Sequence, residues 1–244
     1  MKLSPKSSKL MREPSGAKPD PQTATDHRPR VAAERRERMR SRLLRSALRL
    51  VAEKGPVATS IDDVISAAHV SRGTFYKYFP SPEALIQELA VEIANELIRI
   101  AEPVVRKHDD PAELVAFGLR MVSRLAIHHP AVAGCLVRLG WPGEQGANML
   151  DFVRRDLAEG FRRGRFKRMP MALAVNILAG ATLGATQRML ESNGKEDYSK
   201  QAAAVALRAM GVDLAEADAI SKMPLGLKDI RITGWLAETL GDVD

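Results

Sequence analysis

Apolar positions along this chain recur at steps of three and four and nowhere settle into a two-residue alternation, so the pattern predicts helices and no strands. Leu43, Leu44, Ala47, Leu48 and Val51 form one stripe, with Arg42, Arg45 and Arg49 largely off it. A helix is expected from about Val31 to Lys54, stopped by Gly55 and Pro56. A second starts at Thr59 or Ser60, either of which can cap it, with Asp62 or Asp63 three residues on. It buries Ile61, Val64, Ile65 and Ala68, and at about eight residues it depends on tertiary packing. His69-Val70 makes a tight connection, and Ser71 caps a third helix that runs to about Tyr78. Pro80 and Pro82 then introduce a long helix from about Pro82 to Val105. Helices are expected further on at about 111–128, 130–139, 146–163, 170–192, 198–210, 213–222 and 229–240, separated by prolines and glycines. Residues 1–30, with Pro5, Pro14, Pro19, Pro21 and Pro29 and few large apolar side chains, read as disordered.

Composition agrees with an all-α fold that has a real core. Hydrophobic residues make up 45% and aromatics only 5%. Cys135, flanked by Ala133, Leu136 and Val137, is the lone cysteine; it reads as a buried thiol and permits no intrachain disulfide. No window approaches 18 uninterrupted apolar residues and the basic N-terminus has no apolar run, so neither a membrane span nor a secretory signal is expected, and the cytoplasm is the expected compartment. The net charge of +7 lies entirely in the first quarter, where residues 1–54 hold 15 Lys and Arg against 6 Asp and Glu. A concentration of this kind points to a polyanionic partner, a nucleic acid or an anionic membrane surface.

Two short helices joined by a few residues, each with an apolar inner face, make a helix-turn-helix. Arg72, Thr74, Tyr76 and Lys77 would then stand on the outer face of the third helix, where arginine can bond guanine, threonine can meet a base edge, and tyrosine and lysine can reach phosphates. No phosphate-binding loop, metal-ligand spacing or nucleophile elbow is visible, so no enzyme activity, metal or cofactor is expected. His128-His129 reads as a helix end and Asp109-Asp110 as a cap.

The stretch Thr59 to Leu85, TSIDDVISAAHVSRGTFYKYFPSPEAL, resembles the TetR family of bacterial transcriptional regulators, the match running from about Ser41 to Leu85. The resemblance implies a three-helix DNA-binding domain over 31–80 and a helical ligand-binding and dimerisation domain over 81–244. It places Thr59 and Ser60 against a phosphate, and Arg72, Thr74, Tyr76, Lys77 and Tyr78 among the recognition contacts, with Gly73 letting the backbone approach DNA. The family usually has glycine where this chain has His69, and lysine or aspartate where it has Pro82. The resemblance further implies a homodimer on a palindromic double-stranded operator. The small and apolar residues of 171–192 (Ala172, Leu173, Ala174, Val175, Ile177, Leu178, Ala179, Gly180, Ala181, Leu183, Gly184 and Ala185) would pair the subunits. A small-molecule effector pocket would draw on Phe117, Met121, Trp141, Met149 and Phe152, with polar contacts from Asn176, Thr182 and Gln187. The expected function is that of a ligand-released repressor. A ligand-blind DNA-binding protein governed by a protein partner, and a membrane-surface binder, remain alternatives.

Overall fold

A computed structural model describes residues 21–55, 57–141, 147–225 and 234–240, apart from the side chains of 21–28, 126–127, 147–149 and 240. Every element among the described residues is an α-helix: α1 (Pro21–Lys54), α2 (Ile61–Ala67), α3 (Arg72–Tyr76), α4 (Pro82–Val105), α5 (Pro111–His128), α6 (Pro130–Leu139), α7 (Ala147–Arg162), α8 (Met171–Glu191), α9 (Ser199–Ala209), α10 (Leu214–Lys222) and α11 (Gly234–Leu240). The chain divides into two units, residues 1–39 and 40–244.

In the first unit, α1 begins at Pro21, ten residues before the expected start, so residues 21–30 are helical where disorder was expected. Proline is tolerated at the first position of a helix because the N–H it lacks has no partner there. Pro29 lies inside α1, and the next residue, Arg30, pairs with Glu34 one turn on at 3.2 Å. Residues 1–20 lie outside the described residues.

In the second unit the expected stripe of α1 is buried: Leu43, Ala47, Leu48 and Val51 are fully shielded from water. They meet Val64 of α2, its C-cap Ala68, Phe75 of α3, Phe79, and Leu85 and Leu89 of α4 in one apolar cluster. α4 also packs on α5, α6 and α7, and α5 stands at the centre of the larger half, in contact with α4, α6, α7, α8, α9 and α10. That position buries polar side chains too: Arg120, 2% exposed, donates to the Met223 carbonyl at 2.7 Å and lies over the Phe117 ring.

α11 returns to the first helices of this unit. Leu236 is fully buried in the cluster that contains α1 and α4, Arg45 pairs with Glu238 at 2.7 Å, and Arg49 donates to the Thr239 carbonyl at 2.9 Å. Of the helix expected over 229–240, residues 234–240 are helical and 229–233 lie outside the described residues. Asp110 caps α5 by accepting from the Ala112 N–H at 3.0 Å.

Two measurements check this packing. Leu97 is fully buried in the centre of α4. Leu97→Ala is expected to lower the stability measured by urea unfolding by about 2–5 kcal/mol, as for other buried leucines. Cys135 is fully shielded, and burial pushes its thiol up to about 11. At mildly alkaline pH the folded protein should therefore react slowly with a thiol-alkylating reagent, and urea should make the reaction fast. Rapid alkylation without denaturant would place Cys135 at the surface.

Candidate nucleic-acid interface and internal cavity

Local hydrogen bonding builds the α2–α3 pair. Ser60 has extended backbone and its hydroxyl accepts from the Asp63 N–H at 3.2 Å, while the Asp63 carboxylate accepts from the Ser60 N–H at 2.9 Å. This reciprocal box satisfies two N–H groups that a helix start leaves without partners. Lys54 reaches the same carboxylate at 2.6 Å, and its hydrogen bond, with those of Ser60, holds Asp63 well below the usual carboxylate range. Thr59 donates its hydroxyl to the Gly55 carbonyl at 2.7 Å and stands beside this helix start.

α2 ends in a Schellman turn. The Val70 N–H bonds the Ile65 carbonyl and the His69 N–H bonds the Ser66 carbonyl, both at 3.0 Å. That geometry puts His69 in the left-handed region, at φ +50°, where glycine is the usual residue. Val70 and Ile65, the two apolar residues the motif brings together, both pack on the core.

Ser71 caps α3, accepting from the Thr74 N–H at 3.1 Å, with the two hydroxyls 2.9 Å apart. α3 closes at Tyr76, two residues before the expected end, and turn hydrogen bonds from Lys77, Tyr78 and Phe79 continue the coil. Phe75 and Phe79 are sealed inside. Their burial fixes what faces out: Arg72, Gly73, Tyr76 and Lys77 are exposed, Thr74 is partly covered, and Tyr78 is half-buried against the core. Pro82 sits in the first turn of α4 behind the Ser81 cap.

Sequence reasoning missed the role of Asp62, for which only helix capping was considered. The cap falls to Asp63, and Asp62 instead points outward and holds the Arg72 guanidinium at 2.6 Å. Ten residues separate the pair across a turn, so no helical spacing reveals it.

A cavity lies among α4, α5, α7 and α8. About 70 Å³ of it is open to the centres of water-sized molecules, where ~10–15 Å³ holds one water. Its walls are aliphatic, with Ile98, Val105, Leu119, Val122 and Leu178 prominent. Of the expected pocket residues, Trp141, Phe152 and Thr182 line it. Phe117 and Met121 do not: they lie on the flank of α5 turned into the core, 1% and 0% exposed. Asn176 and Gln187 stand on the exposed side of α8, where Gln187 donates to Glu191. The Met149 side chain lies outside the described residues. The expected subunit seam divides likewise: Ala174, Val175, Leu178 and Ala185 are buried within the subunit, while Leu173, Gly180 and Gly184 are exposed.

Two lining carboxylates were not foreseen. Both Asp156 oxygens accept from one Arg106 guanidinium nitrogen, at 2.7 and 2.5 Å, and Glu102 accepts from Arg106 at 2.6 Å and Arg155 at 3.2 Å. The Arg155 guanidinium also lies over the Phe152 ring, 4.9 Å from its centre. These charges come from α4 and α7, and only the packing of those helices brings them together.

The chain matches the family of bacterial regulatory proteins described as tetR over residues 43–89, and the tetracyclin repressor-like C-terminal domain over 110–223. Among solved structures it is similar to RolR. It is 32% identical to RolR in complex with resorcinol, at a TM-score of 0.59, covering 79% of this chain and 97% of that one. For RolR without ligand the values are 34%, 0.61, 79% and 99%. A transcriptional regulator of Mycobacterium tuberculosis is 30% identical over 106 residues, 42% of this chain and 51% of that protein. EthR of Mycolicibacterium smegmatis is 28% identical over 124 residues, 46% and 52%. The chain thus spans about half the length of these curated relatives. They are transcriptional regulators, a non-enzymatic class.

The turn supplies a direct test. A side chain at φ +50° strains His69, and glycine relieves that strain at the expense of unfolded-state entropy. His69→Gly should leave the fold intact and raise stability in urea by about 0.5–1 kcal/mol. A loss of stability would show that the imidazole makes a compensating contact.

Proposed function

This chain belongs to the TetR family of bacterial transcriptional regulators, and we propose that it acts as a homodimeric repressor whose grip on a palindromic operator is released by a small molecule. The observation that carries the proposal is the exposed face of α3, where Arg72, Gly73, Tyr76 and Lys77 stand free of the core that Phe75 and Phe79 anchor. Thr74 and Tyr78 flank that face, and Thr59 and Ser60 bring the start of α2 to a phosphate. A helix N-terminus presents N–H groups and a positive dipole end to such an anion. Residues 31–80 serve as the reading head and 81–244 as the effector and dimerisation domain, acting in the cytoplasm.

A two-fold dimer suits a palindrome because two recognition helices must enter major grooves about 34 Å apart. The α8–α9 face supports it. Leu173 and Val205 are 50% and 58% exposed, a poor arrangement for large apolar side chains in water. A Cβ built on Gly180 or Gly184 meets nothing within 4 Å, so a partner helix can come close there. The cavity is the proposed effector site, a reading supported by the resemblance to RolR, which was crystallised with resorcinol.

Fluorescence anisotropy against duplex DNA from upstream of the chain's own gene, beside a scrambled duplex at several salt concentrations, tests the reading. Specific binding that falls steeply with salt is expected; no binding to any duplex at low salt overturns it. Tyr76→Ala and Lys77→Ala should weaken binding to all duplexes, and Lys77→Ala should reduce the salt slope by about 1. Arg72→Ala should cost about 1–3 kcal/mol on the operator and less on scrambled DNA. Asp62→Asn frees Arg72 and removes a repelling charge, so it should tighten scrambled-DNA binding and narrow the specificity ratio.

A further inference from the structure

The walls of the cavity define the chemistry of what fits it. We propose that it takes a neutral, largely apolar molecule bearing a hydroxyl group, with the hydroxyl held between the Asp156 carboxylate and the Trp141 indole N–H. The proposal rests on the reading of this cavity as the effector site and adds the ligand class.

Three observations converge. The lining is aliphatic and aromatic over most of its surface, which calls for an apolar body. The Trp141 Nε1–H is shielded from solvent and has no acceptor among the described residues. An indole N–H only donates, and buried donors are normally satisfied, so this one is poised for an acceptor the ligand brings. Asp156 is 7% exposed and lines the same cavity. Its two oxygens take two bonds from Arg106 and a longer one, 3.5 Å, from Arg155, and a carboxylate has about four lone-pair sites, so it can accept a further donor. A hydroxyl is the small group that both donates and accepts.

Charge excludes the neighbouring classes. Asp156 and Glu102 are the charged residues that line the cavity, while Arg106 and Arg155 are engaged with those carboxylates and are not among the lining residues. An anion would face like charge. A cation would add uncompensated charge to a cluster of two carboxylates and two guanidinium groups that already balance. The same geometry links recognition to response. A hydroxyl donating to Asp156 adds a donor to the carboxylate that holds Arg106, and Arg106 caps α4, the helix whose other end packs the reading head.

The test uses three probes of similar size: resorcinol, benzoate and toluene. Each is titrated into the full chain by calorimetry, and Trp141 emission is followed in a Trp235→Phe background, where Trp141 is the sole tryptophan. Resorcinol should bind roughly tenfold or more tightly than benzoate or toluene and perturb Trp141 emission, because a polar site rejects analogues that leave its groups unpaired. Asp156→Asn should weaken resorcinol by a similar factor and narrow the gap to benzoate. Trp141→Phe keeps the ring, removes the donor and leaves the Arg106 contact alone, so it should weaken resorcinol several-fold even if Asp156→Asn perturbs the fold. Equal or tighter binding of benzoate or toluene, no binding of resorcinol, or unchanged resorcinol affinity in Trp141→Phe overturns the proposal. Operator release is read separately. Selective binding of resorcinol without release would leave the ligand class standing and sink the effector reading; operator binding with no response to resorcinol in any assay would do the reverse.

Discussion

The burial of α4 is the constraint on which the rest depends. Leu85, Leu89, Ile93, Leu97, Ala101 and Val105 are all buried and follow one another at a strict four-residue step. In a helix of 3.6 residues per turn such a step gains about 40° each time, so the buried line winds roughly 200° around the helix from one end to the other. At its start it seals the cluster of Leu43, Phe75 and Phe79; at its end Ala101 and Val105 wall the cavity. One element about 36 Å long therefore runs from the helix-turn-helix to the cavity within a single apolar cluster.

Charge is placed with the same economy. On the outer surface most ion pairs are exposed contacts of the kind that contribute little, such as Arg30 with Glu34. Inside the larger half, arginines join helices that aliphatic packing alone would leave free to slide. Arg106 ties α4 to α7 through Asp156, Arg124 reaches Asp197 ahead of α9, and Arg120 anchors the end of α10 to α5. Their directionality selects a particular helix register, where apolar contacts tolerate several. A buried pair is also the part of such a core most sensitive to a competing polar group, which makes the Arg106–Asp156 contact a natural place for a ligand to act.

The reading head was legible in the sequence almost residue by residue. The stripe of α1, the Ser60 and Ser71 caps, the left-handed His69 and the inward Phe75 and Phe79 are all local features, set by side-chain periodicity and by hydrogen bonds spanning a few residues. The long helices from α4 to α10 were read to within about two residues, because proline and glycine mark their ends. The start of α1 was misread because proline was taken as a breaker where it can sit at a helix's first position.

The cavity was only partly legible. Periodicity says that Phe117 and Asn176 lie on faces of their helices; it does not say which neighbour each face meets. α5 is wrapped by six others, so an apolar residue there is buried whichever way it points, and Phe117 and Met121 turned into the core instead of the cavity. Asp156 and Arg155 look like ordinary surface charges along the chain, since their partners Arg106 and Glu102 lie some fifty residues away. What the sequence by itself determined is everything carried by short-range geometry: the helices, their caps, the turn and the outward face of α3. What only the tertiary structure decided is which helix faces meet, and hence the cavity, its polar lining and the Asp62–Arg72 pair, because contacts across long loops depend on packing that no local spacing encodes.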